Sequence, residues 1–197
     1  MSTGRVSPSS CGEQSFTDCL RTGLNARAPL ERWYCAEILG MHRVEGKAVE
    51  PLAQLLSSAE PQLRSAACRA LARSGEKSVC ARIVPLLSDS YSGARLEALR
   101  ALSALGCPAF SRNALPLLKD SSVAVRCEAA ALLSSCAEAR PALEKMTADP
   151  HPLARLAAAR ALAALGVGES RSALEKLSFG DPDCGVRRGV SQLLKKS

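Results

Sequence analysis

An arginine followed by alanines and leucines at helical spacing recurs along this 197-residue chain, at Arg32, Arg64, Arg95, Arg126, Arg155 and Arg187. The separations are 32, 31, 31, 29 and 32 residues, the length of two short helices with two turns. A helical pair of that size cannot bury its apolar face alone, so successive pairs must stack. The expected fold is all-α: an α-α superhelix, or solenoid, of about six helical hairpins.

Columns of the repeat define the second helix of each pair. Three residues after the anchor stand Cys35, Ala67, Ala98, Ala129, Ala158 and Val190. At seven stand Leu39, Leu71, Leu102, Leu133, Leu162 and Leu194, and position six is also apolar throughout. Spacings of three, four and seven place a small-plus-leucine stripe on one helix face. Gly75, Gly106 and Gly166 fall eleven residues after their anchors, where a left-handed residue ends a helix. Ala137 breaks that column, and Arg43 stands there in the first unit.

The first helix of each pair is read from the apolar runs upstream, such as Val49 to Leu56, Ile83 to Leu87, Leu115 to Leu118, Leu143 to Met146 and Leu174 to Leu177. Pro51, Pro85 and Pro116 lie inside these runs, and each should kink its helix or mark its first turn. Asp89, Asp120, Asp149 and Asp181 precede Arg95, Arg126, Arg155 and Arg187 by six residues. A carboxylate in that loop is expected to cap the second helix and to pair with arginines along the stack.

These residues resemble the HEAT-repeat family, in particular the short HEAT-like repeats similar to those of phycobilisome lyases. The shared features are a Pro-Leu first helix, a loop Asp and a Val-Arg-x-x-Ala-x-x-Ala-Leu second helix, clearest from Asp120 to Leu133 and from Asp149 to Gly166. The resemblance covers roughly residues 28 to 195. Ala26 stands where the first unit should carry its Asp, and Pro29 lies three residues before Arg32, which suits a terminal cap. Residues 13–197 are read as the solenoid, with 13–24 supplying its first helix, and the Ser-rich residues 1–12 as a disordered segment.

Composition narrows the function classes. Aromatic residues make up only 3% of a chain that is 47% hydrophobic, which suits closely packed helices. No run of about 18 apolar residues suggests a membrane span, and no secretion signal opens the chain, so a cytoplasmic location is expected. Nine cysteines without a CxxC pair are read as reduced thiols that pack as small hydrophobes, with Cys11 and Cys19 the most exposed. His42 and His151 have no ligand-spaced neighbour, so no metal or cofactor is expected. Deoxyhypusine hydroxylase, an enzyme on this kind of solenoid, needs His-Glu pairs, whereas Arg43 and Pro152 follow the two histidines here.

The resemblance implies that second helices line a concave surface. Five residues after the anchors, the outward column there reads Glu37, Arg69, Arg100, Ala131, Arg160 and Gln192. Arg69, Arg100 and Arg160 are candidate binding residues for an acidic partner, joined by Trp33, Tyr34 and Tyr91 as aromatic contacts. Asp89, Arg95, Asp120, Arg126, Asp149, Arg155, Asp181 and Arg187 are read as structural pairs. The expected function is a non-catalytic, protein-binding scaffold. The formal charge of +7 keeps nucleic-acid binding through a basic concave stripe as the alternative, behind which stands a bilin lyase-like or oxidoreductase-related HEAT protein.

Overall fold

A computed structural model describes residues 22–41 and 46–195. The described residues fold into paired helices with no strand. The second helices are α1 (Pro29–Met41), α3 (Pro61–Ala72), α5 (Ser92–Ala104), α6 (Val123–Leu132), α8 (Pro152–Ala164) and α10 (Cys184–Lys195). Between them run the first helices: α2 (Val49–Leu55), α4 (Cys80–Ile83) continued by a 3₁₀ turn over Val84–Ser88, a 3₁₀ run over Pro108–Lys119, α7 (Arg140–Met146) and α9 (Val167–Gly180). Residues 1–12, and residues 13–21 of the expected opening helix, lie outside the described residues, as do Cys11 and Cys19.

Second helices are regular because alanine and leucine favour helix and Pro61 and Pro152 occupy first-turn positions, where no amide hydrogen is required. First helices are less regular, and the prolines explain why. Pro51 falls in the first turn of α2, whereas Pro85 and Pro116 lie in 3₁₀ segments. Pro85 and Pro116 each remove one donor and crowd the preceding turn, so there the chain tightens instead of continuing as an α-helix.

The small-and-leucine stripe forms the core. Ala67, Ala98, Ala129 and Ala158 are fully buried, and so are Leu71, Leu102, Leu133 and Leu162. Alanine brings helix axes close, which lets α1, α3, α5, α6, α8 and α10 pack each on the next as one continuous layer. Gly75, Gly106 and Gly166 have φ of 72°, 62° and 111°, a region that β-carbons disfavour, so glycine reverses the chain at low cost. At Ala137 the route differs: the chain leaves α6 through a 3₁₀ turn at Leu133–Ser135 and an extended Cys136. That exit lies within the 29-residue interval between Arg126 and Arg155.

One expectation about cysteine is corrected. Cys80, which opens α4, and Cys107, just beyond the Gly106 turn, are joined as a disulfide with a Cα–Cα distance of 6.6 Å. Adjacent units bring these two thiols together across 27 residues of sequence, a proximity that CxxC spacing does not reveal. The remaining expectation holds best at Cys68, which is fully buried and whose thiol is pushed up to about 12 by burial.

Candidate binding surface and repeat junctions

Two charged systems run along the stack. The first is at the junctions between units. Arg64 donates from Nε and Nη2 to both oxygens of Asp89 at 2.6 and 2.7 Å. Arg95 does the same to Asp120, Arg126 to Asp149 and Arg155 to Asp181, all between 2.6 and 2.9 Å. Each pair thus links one unit to the next. The third guanidinium nitrogen, Nη1, turns back onto two carbonyls of its own loop, Asp89 and Ser90 in the case of Arg95. Every nitrogen of the planar fork donates, an arrangement that lysine cannot reproduce.

The aspartates do not cap the second helices as expected. Oδ1 of Asp89, Asp120, Asp149 and Asp181 instead accepts the backbone N–H two residues on, from Tyr91, Ser122, His151 and Asp183. The short side chain reaches its own turn before it reaches the helix, which leaves the carboxylate facing the preceding arginine. Bonding to Arg64 and to Arg155 holds the Asp89 and Asp181 carboxyls below the usual range. At Asp120 and Asp149 burial is the largest single effect and acts upward, but the bonds from Arg95 and Arg126, the bonds from the Ser122 and His151 amides and the arginine charges together outweigh it, and the net shift is again downward.

The first junction departs from this design. Ser58 stands where later units have Asp, and Glu60 reaches Arg32 Nη2 at 3.3 Å. Arg32 Nε is buried with no hydrogen-bond partner, so this junction is satisfied on one side only. At the other end, Arg187 donates Nη1 to the carbonyls of Asp181 and Pro182, but forms no ion pair with a described residue.

The second charged system lies on the exposed row of the second helices. Arg69 Nη1 is 2.7 Å from both Glu37 oxygens, and its Nε is 3.6 Å from Glu97. Arg100 Nη1 meets Glu97 at 3.0 Å and its Nε meets Glu128 at 3.4 Å. Glu37, Arg69, Glu97, Arg100 and Glu128 therefore form one ladder over α1, α3, α5 and α6. The ladder makes Glu37, Arg69 and Arg100 of the five-after-anchor column neighbours, bridged by Glu97. It also changes the basic stripe into an alternating one, because two of its three arginines are neutralised by neighbours. Glu97 and Glu128 were legible as a matching pair two residues after their anchors, although position alone does not reveal the ion pairing. Arg160 is exposed, with no ion pair to a described residue.

The aromatic candidates separate. Trp33 is half-buried against the core, while Tyr34 beside it is 60% exposed. Tyr91 leads into α5, and its ring lies over Gly93, where a β-carbon would come within 2.4 Å of it. A cleft of about 760 Å³ opens between α7 and α9, lined partly by Asp149, Ser170 and Asp181, but its aspartates are already held by the junction arginines. Among the described residues there is no cluster of three or more potential metal ligands, and no helix is long and apolar enough to cross a membrane.

The model of the HEAT repeats family matches residues 17–103, 49–132 and 111–195, which together span nearly the whole chain. The chain belongs to the HEAT-repeat family. Solved structures support the same architecture for this HEAT-repeat protein. The CpcE–CpcF complex of phycocyanin lyase from Nostoc sp. PCC7120 matches with a TM-score of 0.69 and 23% identity, over 98% of this chain and 81% of that one. An engineered protein matches at TM-score 0.68 and 22% identity, over 91% and 95%. A designed armadillo repeat protein in complex with the peptide (KR)4 matches at TM-score 0.65 and 19% identity, over 90% and 97%. No curated protein matches the chain significantly.

Proposed function

We propose that this HEAT-repeat protein is a non-catalytic scaffold that binds an extended segment of a protein partner along the exposed row of its second helices. The observation that carries the reading is the Glu37–Arg69–Glu97–Arg100–Glu128 ladder, which makes side chains from four successive units neighbours on one face. A row of that kind reads a chain laid across it by position, and its fixed charges select partners more than they add affinity. From α6 onward the row changes character, with Ala131, exposed Arg160 and Gln192. An acidic stretch of the partner fits against Arg160, and neutral or mixed sequence fits against the ladder. The engineered repeat protein with a bound (KR)4 peptide is an example of a related architecture in a complex with a peptide. Glutamates at three rungs weigh against a phosphate backbone along the same row, since like charges would repel it.

The test is recovery of partners from host lysate, with and without nuclease, by the wild-type chain and by an Arg69→Gln/Arg100→Gln/Arg160→Gln variant. The proposal expects a nuclease-resistant protein partner that the variant loses while circular dichroism shows it still folded at the assay temperature, although removing both arginines from Glu97, 10% exposed, lowers its melting temperature. Recovery that nuclease abolishes would refute it.

A further inference from the structure

The junction between the first two units keeps the frame of the later ones and lacks only the acid. Ser58 precedes Arg64 by six residues, the position that Asp89, Asp120, Asp149 and Asp181 hold before their own arginines. Its loop is built in the same way. Arg64 Nη1 donates to the carbonyls of Ser58 and Ala59 at 2.8 and 3.1 Å, as Arg95 Nη1 donates to those of Asp89 and Ser90. The Glu60 amide donates to Ser58 Oγ at 3.3 Å, as the Tyr91 amide donates to Asp89 Oδ1. What is missing is negative charge on the loop side chain. In Arg64, Arg95, Arg126 and Arg155 the Nε meets an aspartate oxygen of the following unit. In Arg32 it is buried without a partner, and Nη2 turns to Glu60 at 3.3 Å.

We infer that Ser58 is a phosphorylation site, whose phosphate closes this junction by taking the Nε–Nη2 edge of Arg32 as the loop aspartates do in the units that follow. Transfer from ATP by a protein kinase forms the bond between Ser58 Oγ and the γ-phosphorus and breaks the bond from that phosphorus to the β–γ bridging oxygen. ADP leaves, and the hydroxyl proton passes to the kinase's base. The phosphate carries about 1.5 to 2 negative charges at pH 7 and three acceptor oxygens, and an arginine fork takes two of them in bidentate fashion. Ser58 is half-buried between exposed Ser57 and Ala59. It lines a cleft of about 480 Å³ together with Arg32, which leaves space for the added group. One existing bond is given up: Ser58 Oγ donates to Glu60, and a phosphate repels that carboxylate. The Glu60 side chain is 37% exposed, so it turns into water and yields Arg32 to the stronger acceptor. The site lies at the contact of α1 with the α2–α3 unit, so it is independent of whether the exposed row binds a partner.

The test uses the full chain with phosphoserine installed at position 58 by codon suppression, against the same sample after phosphatase treatment. Hydrogen exchange read by mass spectrometry is expected to show the α1 amides exchanging about 10-fold more slowly in the phosphorylated form, with α8 unchanged. Arg32→Lys, which keeps the charge and loses the fork, is expected to remove most of that gain. No slowing, or slowing that persists in Arg32→Lys, overturns the inference. Ser58→Asp supplies the acid of the other loops directly and should slow the same amides; unchanged exchange there counts against the geometry. Modification itself is read on the chain isolated from its native cells with phosphatase inhibitors present. Peptide fragmentation should place phosphate on Ser58, and phosphate on Ser57 alone, or on neither residue across growth and stress conditions, refutes the assignment.

Discussion

Removing one junction carboxylate measures how the stack is held. In Asp120→Ala, Arg95 loses bonds of 2.6 and 2.8 Å and the Ser122 amide loses one of 2.8 Å. The side chains of Arg95 and Asp120 are only 12% and 5% exposed, so water cannot fully replace the acid. Leaving a buried charge without its partner costs about 3–5 kcal/mol. That is a large part of the roughly 5–15 kcal/mol that holds a typical domain. At about 2–4 °C per kcal/mol for a chain of this size, the melting temperature should fall by about 6–20 °C. Thermal and urea unfolding followed by circular dichroism read the change directly. Replacing the pair together, as Arg95→Met/Asp120→Leu, should restore most of the loss, because a packed apolar pair replaces a costly desolvated one. A loss below about 1 kcal/mol for Asp120→Ala would refute the reasoning, since it would place this pair with exposed ion pairs.

Acid should weaken the whole stack in the same way. Asp89, Asp120, Asp149 and Asp181 all have lowered carboxyl pKa values in the fold, so their stabilisation is complete above the unfolded value near 4 and is lost as pH falls through the lower folded values. Urea midpoints should stay flat from pH 7 to about pH 5 and drop steeply below about pH 4; a flat profile to pH 3 would contradict this. In the native chain, iodoacetamide should label exposed Cys184 and spare buried Cys68, as peptide mass mapping would show. The same mapping without reductant should recover Cys80 linked to Cys107, and reducing that bond, which closes 27 residues, should lower stability by about 3–4 kcal/mol. Gly106→Ala should cost about 1 kcal/mol or more because its φ is 62°, whereas Gly168→Ala, in open space on α9, should be neutral or stabilising by unfolding midpoint.

The stack itself was legible because its period is carried by residues with one job each. Arginine at the anchor, alanine at three and leucine at seven follow from the need to bring helices close, and the structure buries those alanines and leucines as the pattern requires. Asp–Arg pairing was legible too, but not which unit supplies which partner: Asp120 is six residues from Arg126, yet closes on Arg95. Helix geometry decides that, since the fork of Arg126 points over its own loop through Nη1 and onward to Asp149. The charge of the exposed row was misjudged as a run of arginines because Glu97 and Glu128 sit three positions earlier in the repeat than the arginine column, and Glu37, Glu97 and Glu128 meet arginines of neighbouring units only once the helices are stacked. The Cys80–Cys107 link was hidden for the same reason, being a contact between units with no fixed spacing to announce it.

A photo-crosslinking residue at Ala131, exposed in the middle of the second-helix row, compared with one at Ser172 on α9, tests the scaffold reading most directly. The account predicts that a nuclease-resistant partner is captured at position 131 and not at 172. Capture at 172 with none at 131 would contradict it.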